Sequence, residues 1–251
     1  MNDAQNAANE RPAFTLDGGR IPFTPGQTIM DAALAAGVYI PHLCHKPGSA
    51  PHGSCRVCVV RANGLELSAC TTPAQPDLVV ESEADDIRAL RLAVVQMLFI
   101  EGNHICPACE VSGACALQAV AYHCGMLTPR FPQRFPRRAV DASHPDFVLD
   151  HNRCILCELC VRASRDDDGK RVFAISGRGI ASRLIVDSPT GLLGDSSFSK
   201  DDAAARVCPV GAILPRRQVF RIPIGKRYYD RSPIGHVGDV APRLDAEDVE
   251  L

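Results

Sequence analysis

In DHNRCILCELCVRAS (150–164), Cys154, Cys157 and Cys160 are each two residues apart. This C-x2-C-x2-C rhythm turns three thiolates toward one iron–sulfur cube. A cube takes four ligands. The next cysteine, Cys208, stands before proline in ARVCPVGAI, the usual closing position for such a triplet. In two-cluster versions of the motif, a second cube would need cysteines at 164, 198, 201 and 204. Those positions hold Ser164, Phe198, Asp201 and Ala204, so one cube is expected.

Two further sets precede it. Cys44, Cys55, Cys58 and Cys70 follow C-x10-C-x2-C-x11-C. Four soft thiolates suit iron–sulfur or zinc, and the small residues Gly53 and Ser54 before Cys55 would let backbone N–H groups point at sulfide. A flat [2Fe–2S] centre is expected, with structural zinc the alternative. His42, His45 and His52 lie nearby, but a Rieske site needs histidines in place of cysteines, and four cysteines are present. The remaining set, GNHICPACEVSGAC, supplies Cys106, Cys109 and Cys115 for a [4Fe–4S] centre. His104 is its expected fourth ligand, with Cys124 and His123 as rivals. If His104 is the ligand, Cys124 is a spare, small buried hydrophobe.

These ligands need elements to hold them. AFTL and RIPF read as strands around a DGG turn, and RVCVVRANGLELSAC as a hairpin with an Asn-Gly turn. DLVVES is a further strand. GQTIMDAALAAG offers Thr28 as N-cap, the stripe Ile29, Ala32, Ala33 and Ala36, and Gly37 as terminator. Two hairpins around one helix suggest a β-grasp roll over 12–82, preceded by an N-terminal tail, 1–11. A helical segment over 83–122 should carry Ile87, Leu90, Val94, Met97 and Leu98 on one face. A linker over 123–142 includes the basic PRFPQRFPRR, either a stiff solvated spacer or a docking strip for an acidic partner. A ferredoxin-like unit spans 143–214 and a docking tail 215–251. The fold class is α+β. The acidic loop RDDDGK (165–170) and the tail are candidate partner contacts.

The 251 residues include 12 cysteines, and net charge is −2. That balance gives no electrostatic case for nucleic acid. MNDAQNAANERP is polar and unlike a secretory signal. LAVVQMLFI (92–100) is too short to cross a bilayer. A cytoplasmic location is therefore expected, where thiols stay reduced and cysteine enrichment points to metal. No nucleophile–base pair, phosphate loop or dinucleotide fingerprint is evident; SGRGI (176–180) lacks a strand–helix context. Units this small are secured by bound metal, which adds folding free energy.

The order of a β-grasp [2Fe–2S] module, a His-plus-three-Cys [4Fe–4S] module and a ferredoxin-like [4Fe–4S] module resembles the N-terminal iron–sulfur region of the large complex I subunit and of [FeFe]-hydrogenases. The resemblance covers roughly 12–215, and the end of the chain soon after Cys208, the missing second cube and the tail PIGKRYYDRSPIG make it similar above all to the diaphorase iron–sulfur (small) subunits of soluble, NAD-reducing [NiFe]-hydrogenases. The family motif has three residues between histidine and first cysteine. Here His104 and Cys106 have one, and the usual histidine slot is Gly102. The resemblance implies a non-catalytic electron-transfer subunit of an oxidoreductase. FMN and NAD would sit on a diaphorase partner, and the [NiFe] centre on hydrogenase small and large subunits. The alternative is the same wiring role in an NAD-dependent formate dehydrogenase or a complex I-like NADH dehydrogenase.

Imidazole in place of thiolate removes one negative charge from a centre. His104→Cys is therefore expected to lower the EPR-monitored midpoint of that centre; an unchanged midpoint counts against His104 ligation.

Overall fold

The computed structural model describes residues 11–217 and 222–238. The expected N-terminal tail lies outside them except for Arg11. So do residues 218–221 and 239–251 of the expected docking tail. The chain forms two compact units, one reaching Val94 and the other beginning at Val95.

The first unit is a five-stranded sheet with one helix against it. Strands β1 (Ala13–Leu16), β2 (Gly19–Pro22), β3 (Val59–Ala62), β4 (Leu65–Ser68) and β5 (Val79–Glu81) lie in the order β2-β1-β5-β3-β4. β1 and β5 are parallel, and the other pairs are antiparallel. Both hairpins turn on two left-handed residues, Asp17-Gly18 and Asn63-Gly64, the backbone twist that matches flanking strands. Helix α1 (Ile29–Ala35) begins in a capping box. Thr28 Oγ1 accepts from Asp31 N, and Thr28 N donates to Asp31 Oδ2, both at 3.1 Å. Ile29, Met30, Ala32 and Ala33 face the core with Phe14, Leu16 and Val60. Ala36, expected on that stripe, is the exposed C-cap, and Met30 is buried in addition.

Helix α2 (Asp85–Ile100) buries a different face from the expected one. Ile87, Arg91, Val95 and Phe99 are buried at i, i+4 spacing, whereas Leu90 and Met97 are 37% and 43% exposed. The cause is Arg91, which a hydropathy reading assigns to solvent. Its guanidinium donates to the carbonyls of Val57, Val59 and Ser82 and to Ser82 Oγ at 3.0–3.2 Å, and pairs with Glu83. Those carbonyls have no strand partner of their own, and Arg supplies enough donors to satisfy all three.

The second unit holds a three-stranded antiparallel sheet, β10-β7-β6, from β6 (Val140–Asp141), β7 (Phe147–Asp150) and β10 (Ile213–Pro215). Strands β8 (Phe173–Ser176) and β9 (Arg183–Val186) form a hairpin. Helices α3 (Ala116–His123) and α4 (Leu159–Asp166) precede two short helices, α5 (Tyr228–Arg231) and α6 (Ile234–Val237). Because β6 begins at Val140, the irregular stretch ends at 139, short of the expected 142. That stretch exposes Arg130, Pro132, Arg134, Phe135 and Arg137, yet its backbone is pinned. Gln133 Nε2 donates to the carbonyls of Phe99 and Gly102, Arg134 N to Ile100 O, Asn103 Nδ2 to Pro136 O, and Arg138 N to Asn152 Oδ1. Its prolines lack N–H groups, and neighbouring side chains pin the backbone instead. The loop after α4 is likewise used internally: Asp168 accepts from Ala203 N and Ala204 N, and Lys170 pairs with Asp202.

Arg91→Leu would leave three buried carbonyls without donors, at a cost of about 3 kcal/mol. A lowered thermal midpoint of the iron-loaded chain is the expected outcome, whereas Leu90→Ala on the exposed face should leave it nearly unchanged.

Candidate metal centres

In the first unit, the core that carries α1 also contains Cys58 and Cys70, while Cys44 and Cys55 come from the loops before β3. All four thiols are buried. Cys44 makes sulfur hydrogen bonds with Cys55 and Cys70, and Cys58 does so with Cys70. Backbone N–H groups of Ser54 and Cys55 also donate to Cys44 Sγ, the latter at 3.4 Å. In each S–H···S pair one sulfur must donate and the other accept. Hydrogen bonds from Cys55 and Cys70 thus hold the Cys44 thiol low, while those with Cys44 hold Cys55 and Cys70 high. Four buried thiolates in mutual contact require a cation among them, so the donor set fits an iron–sulfur centre. Gly53 is left-handed (φ +74°), and a Cβ there would lie 3.0 Å from Thr71 Cγ2. Arg56, between Cys55 and Cys58, is also left-handed. Such conformations turn successive N–H groups inward toward an anion.

In the second unit, one pocket is lined by His104, Cys106, Cys109 and Cys115 together with Phe99, Gln118, Arg153 and Gly211. His123 is exposed and Cys124 half-buried, and neither is among the described residues lining it. His104 Nε2 is buried and has no hydrogen-bond partner. Burial and the charge of Arg153 hold its imidazole down to about 4, the neutral form a metal takes. A buried polar nitrogen without a partner is rare in a folded protein, and this one belongs to a pocket that three thiols also line. The spacing also has a structural counterpart: a Cβ built on Gly102 would fall 2.5 Å from His104 Nε2. The imidazole of residue 104 thus fills the space into which a side chain at 102 would project. Burial raises Cys115 to about 12, although the first N–H groups of α3 donate to its sulfur.

A neighbouring pocket is lined by Cys154, Cys157, Cys160 and Cys208 with Ile155, Leu156, Val210 and Ala212. Leu156 and Glu158 are left-handed on either side of Cys157, a costly conformation for residues with a Cβ. It aims Leu156 N at Cys154 Sγ. N–H groups of Val210, Ala212 and Ile213 point at Cys208. Burial still raises the Cys154 thiol to about 11 and lifts Cys160 and Cys208, so the ligands again need a cation to ionise. The slots that a second cube would need are occupied otherwise. Phe198 and Ala204 lie in the hydrophobic core with Phe147 and Phe173, Ser164 Oγ accepts from Val172 N, and Asp201 is exposed. Among the described residues, no three His, Cys, Asp or Glu side chains converge as around a single ion.

Three family models match in the same order. A 2Fe-2S iron-sulfur cluster binding domain covers 10–85, the NADH-ubiquinone oxidoreductase-G iron-sulfur binding region covers 91–130, and a 4Fe-4S single cluster domain covers 147–214. The chain is 42% identical over 218 residues to the NAD-reducing hydrogenase HoxS subunit gamma of Cupriavidus necator, covering 86% of this chain and 92% of that one. The chain belongs to the NAD-reducing hydrogenase gamma-subunit family. A solved chain from the crystal structure of an NAD+-reducing [NiFe]-hydrogenase in the H2-reduced state aligns with this gamma-family chain at TM-score 0.87 and 54% identity, covering 90% of this chain and 96% of the other. The 78 kDa subunit of NADH-ubiquinone oxidoreductase from Candida albicans is 32% identical over 211 residues, which are 82% of this chain but 29% of that subunit.

Several residues of this gamma-family chain were not legible as part of a site. Gln118 takes the Gly113 N–H on Oε1 at 2.6 Å and donates to Ser112 Oγ, bracing the turn before Cys115. Its position three residues after Cys115 was the available signal. Arg227 in the tail donates to Ser112 Oγ, and Tyr229 N donates to Gly113 O at 2.8 Å. Described tail residues therefore rest on the same turn. Among the described residues, no helix is long and apolar enough to cross a membrane.

Gly102→Ala would press a methyl group onto the His104 ring and the Asn152 carbonyl. It is expected to alter the EPR spectrum of one [4Fe–4S] centre while the [2Fe–2S] signal, from the other unit, is unchanged; three unaltered spectra would refute the packing argument.

Proposed function

We propose that this chain is the electron-transfer subunit of an NAD-reducing hydrogenase, conducting single electrons between an FMN-bearing, NAD(H)-binding diaphorase subunit and a [NiFe] hydrogenase module. Cys44, Cys55, Cys58 and Cys70 hold one [2Fe–2S] centre. His104, Cys106, Cys109 and Cys115 hold one [4Fe–4S] centre, and Cys154, Cys157, Cys160 and Cys208 hold another. The observation that carries this reading is the gathering of eleven thiols and one imidazole into three sets, in a chain 42% identical to a hydrogenase gamma subunit over 92% of that subunit. Iron–sulfur centres accept and release one electron at a time, which suits a conductor between two-electron chemistries.

The chain's own residues bury the ligands, supply N–H donors to the sulfurs and exclude water. The domain succession is β-grasp, His–Cys module, ferredoxin-like module and tail. Filled slots at Phe198 and Ala204 support one cube rather than two in the last module. The partners are the diaphorase subunit and the hydrogenase small and large subunits. A cytoplasmic location follows from ligands that must stay reduced.

Iron and acid-labile sulfide on the purified chain should total about ten of the first, from one [2Fe–2S] and two [4Fe–4S] centres. NADH should reduce these centres only when the FMN-bearing subunit is added. Reduction of the isolated chain by NADH, or an iron content that matches single ions, would overturn the reading.

A further inference from the structure

Arg153 occupies an unusual place. Its side chain is mostly buried and lines the His104 pocket. Nη1 donates to Cys109 Sγ at 3.7 Å and to Glu110 Oε2 at 2.5 Å, while Nε pairs with Asp150 at 3.0 Å. Gly211 leaves room for it, since a Cβ there would lie 3.2 Å from Nη1. Arg153 also precedes Cys154, a residue of the neighbouring pocket. The opposite strip of chain has the same double allegiance. Pro209 follows Cys208, and its carbonyl accepts from Ala116 N at 2.9 Å and from Cys115 Sγ at 3.7 Å. The two pockets therefore share a wall, and one fixed positive charge stands in it.

We propose that Arg153 sets the reduction potential of the centre ligated by Cys109, and does so from the wall this pocket shares with the Cys154 pocket. The inference rests on the reading of the first pocket as a [4Fe–4S] site. Reduction adds one negative charge to the centre and its sulfurs. A guanidinium in contact with Cys109 Sγ stabilises that charge, and its partial burial, with 19% of the side chain exposed, makes the interaction stronger than it would be in bulk water. Arginine does not deprotonate, so its effect is constant with pH. The Glu110 carboxylate on the same guanidinium opposes it. Arginine and glutamate thus act on the centre with opposite signs, which a purely structural brace would not do.

The test is an EPR-monitored redox titration of the iron-loaded full chain and of R153Q and E110Q, with iron and sulfide measured for each. R153Q is expected to shift the midpoint of the His104–Cys109 centre downward and E110Q to shift it upward. The [2Fe–2S] midpoint, whose ligands lie in the other unit, should stay fixed. Unmoved midpoints in both variants at full iron content would overturn the proposal, as would shifts of the same sign. If R153Q loses iron, E110Q decides alone: an upward shift supports the proposal and no shift overturns it. A wild-type chain without the expected iron would instead overturn the reading of the pocket itself.

Discussion

Buried thiolates repel one another, and that repulsion governs the rest of the molecule. Low-dielectric surroundings hold a lone thiol in its neutral form, as they do for Cys115, Cys154 and Cys160. In the first unit the conflict is visible directly. Four sulfurs share hydrogen bonds so that some are pressed toward ionisation and others away from it. A cationic iron–sulfur core resolves this by giving every thiolate the same partner, and its binding then becomes part of the folding free energy of two units of modest size.

The protein prepares for that charge with backbone rather than with many cations. Left-handed residues at Gly53, Arg56, Leu156 and Glu158 bend the ligand loops, and N–H groups approach Cys44, Cys115, Cys154 and Cys208. These loops are also braced by side chains from elsewhere in the chain. Arg91 holds the carbonyls on both sides of Cys58, and Gln118 holds the turn before Cys115. Arg153 touches a sulfur itself. Each brace is a long polar side chain that a hydropathy reading assigns to the surface.

At two positions where the related motifs place ligands, other side chains fill the space. Where the histidine of the related motif would stand, Gly102 is bare, and the ring of His104 takes up the space. Where a second cube would be ligated, Phe198 stacks edge-on against Phe147, Phe173 and His144, with Ala204 beside them. A hydrophobic cluster of that kind stabilises the fold by burying apolar surface.

What the sequence by itself determined was local. Cysteine spacing sorted the sulfurs into the three groups that the structure gathers, because each group takes two or three of its sulfurs from a few residues of one loop. The Asp-Gly and Asn-Gly turns, the Thr28 cap and the hairpins were legible for the same reason: the residues that pair in them lie within about ten positions of one another. Tertiary structure alone decided which face of α2 is buried, that the segment before β6 is pinned, and that His104 rather than Cys124 lines the pocket with its three cysteines. It alone brought Arg153 to Cys109 across 44 residues. Those outcomes depend on which distant carbonyl, sulfur or ring lacks a partner, and a one-dimensional pattern carries no record of unmet hydrogen bonds or uncompensated charge.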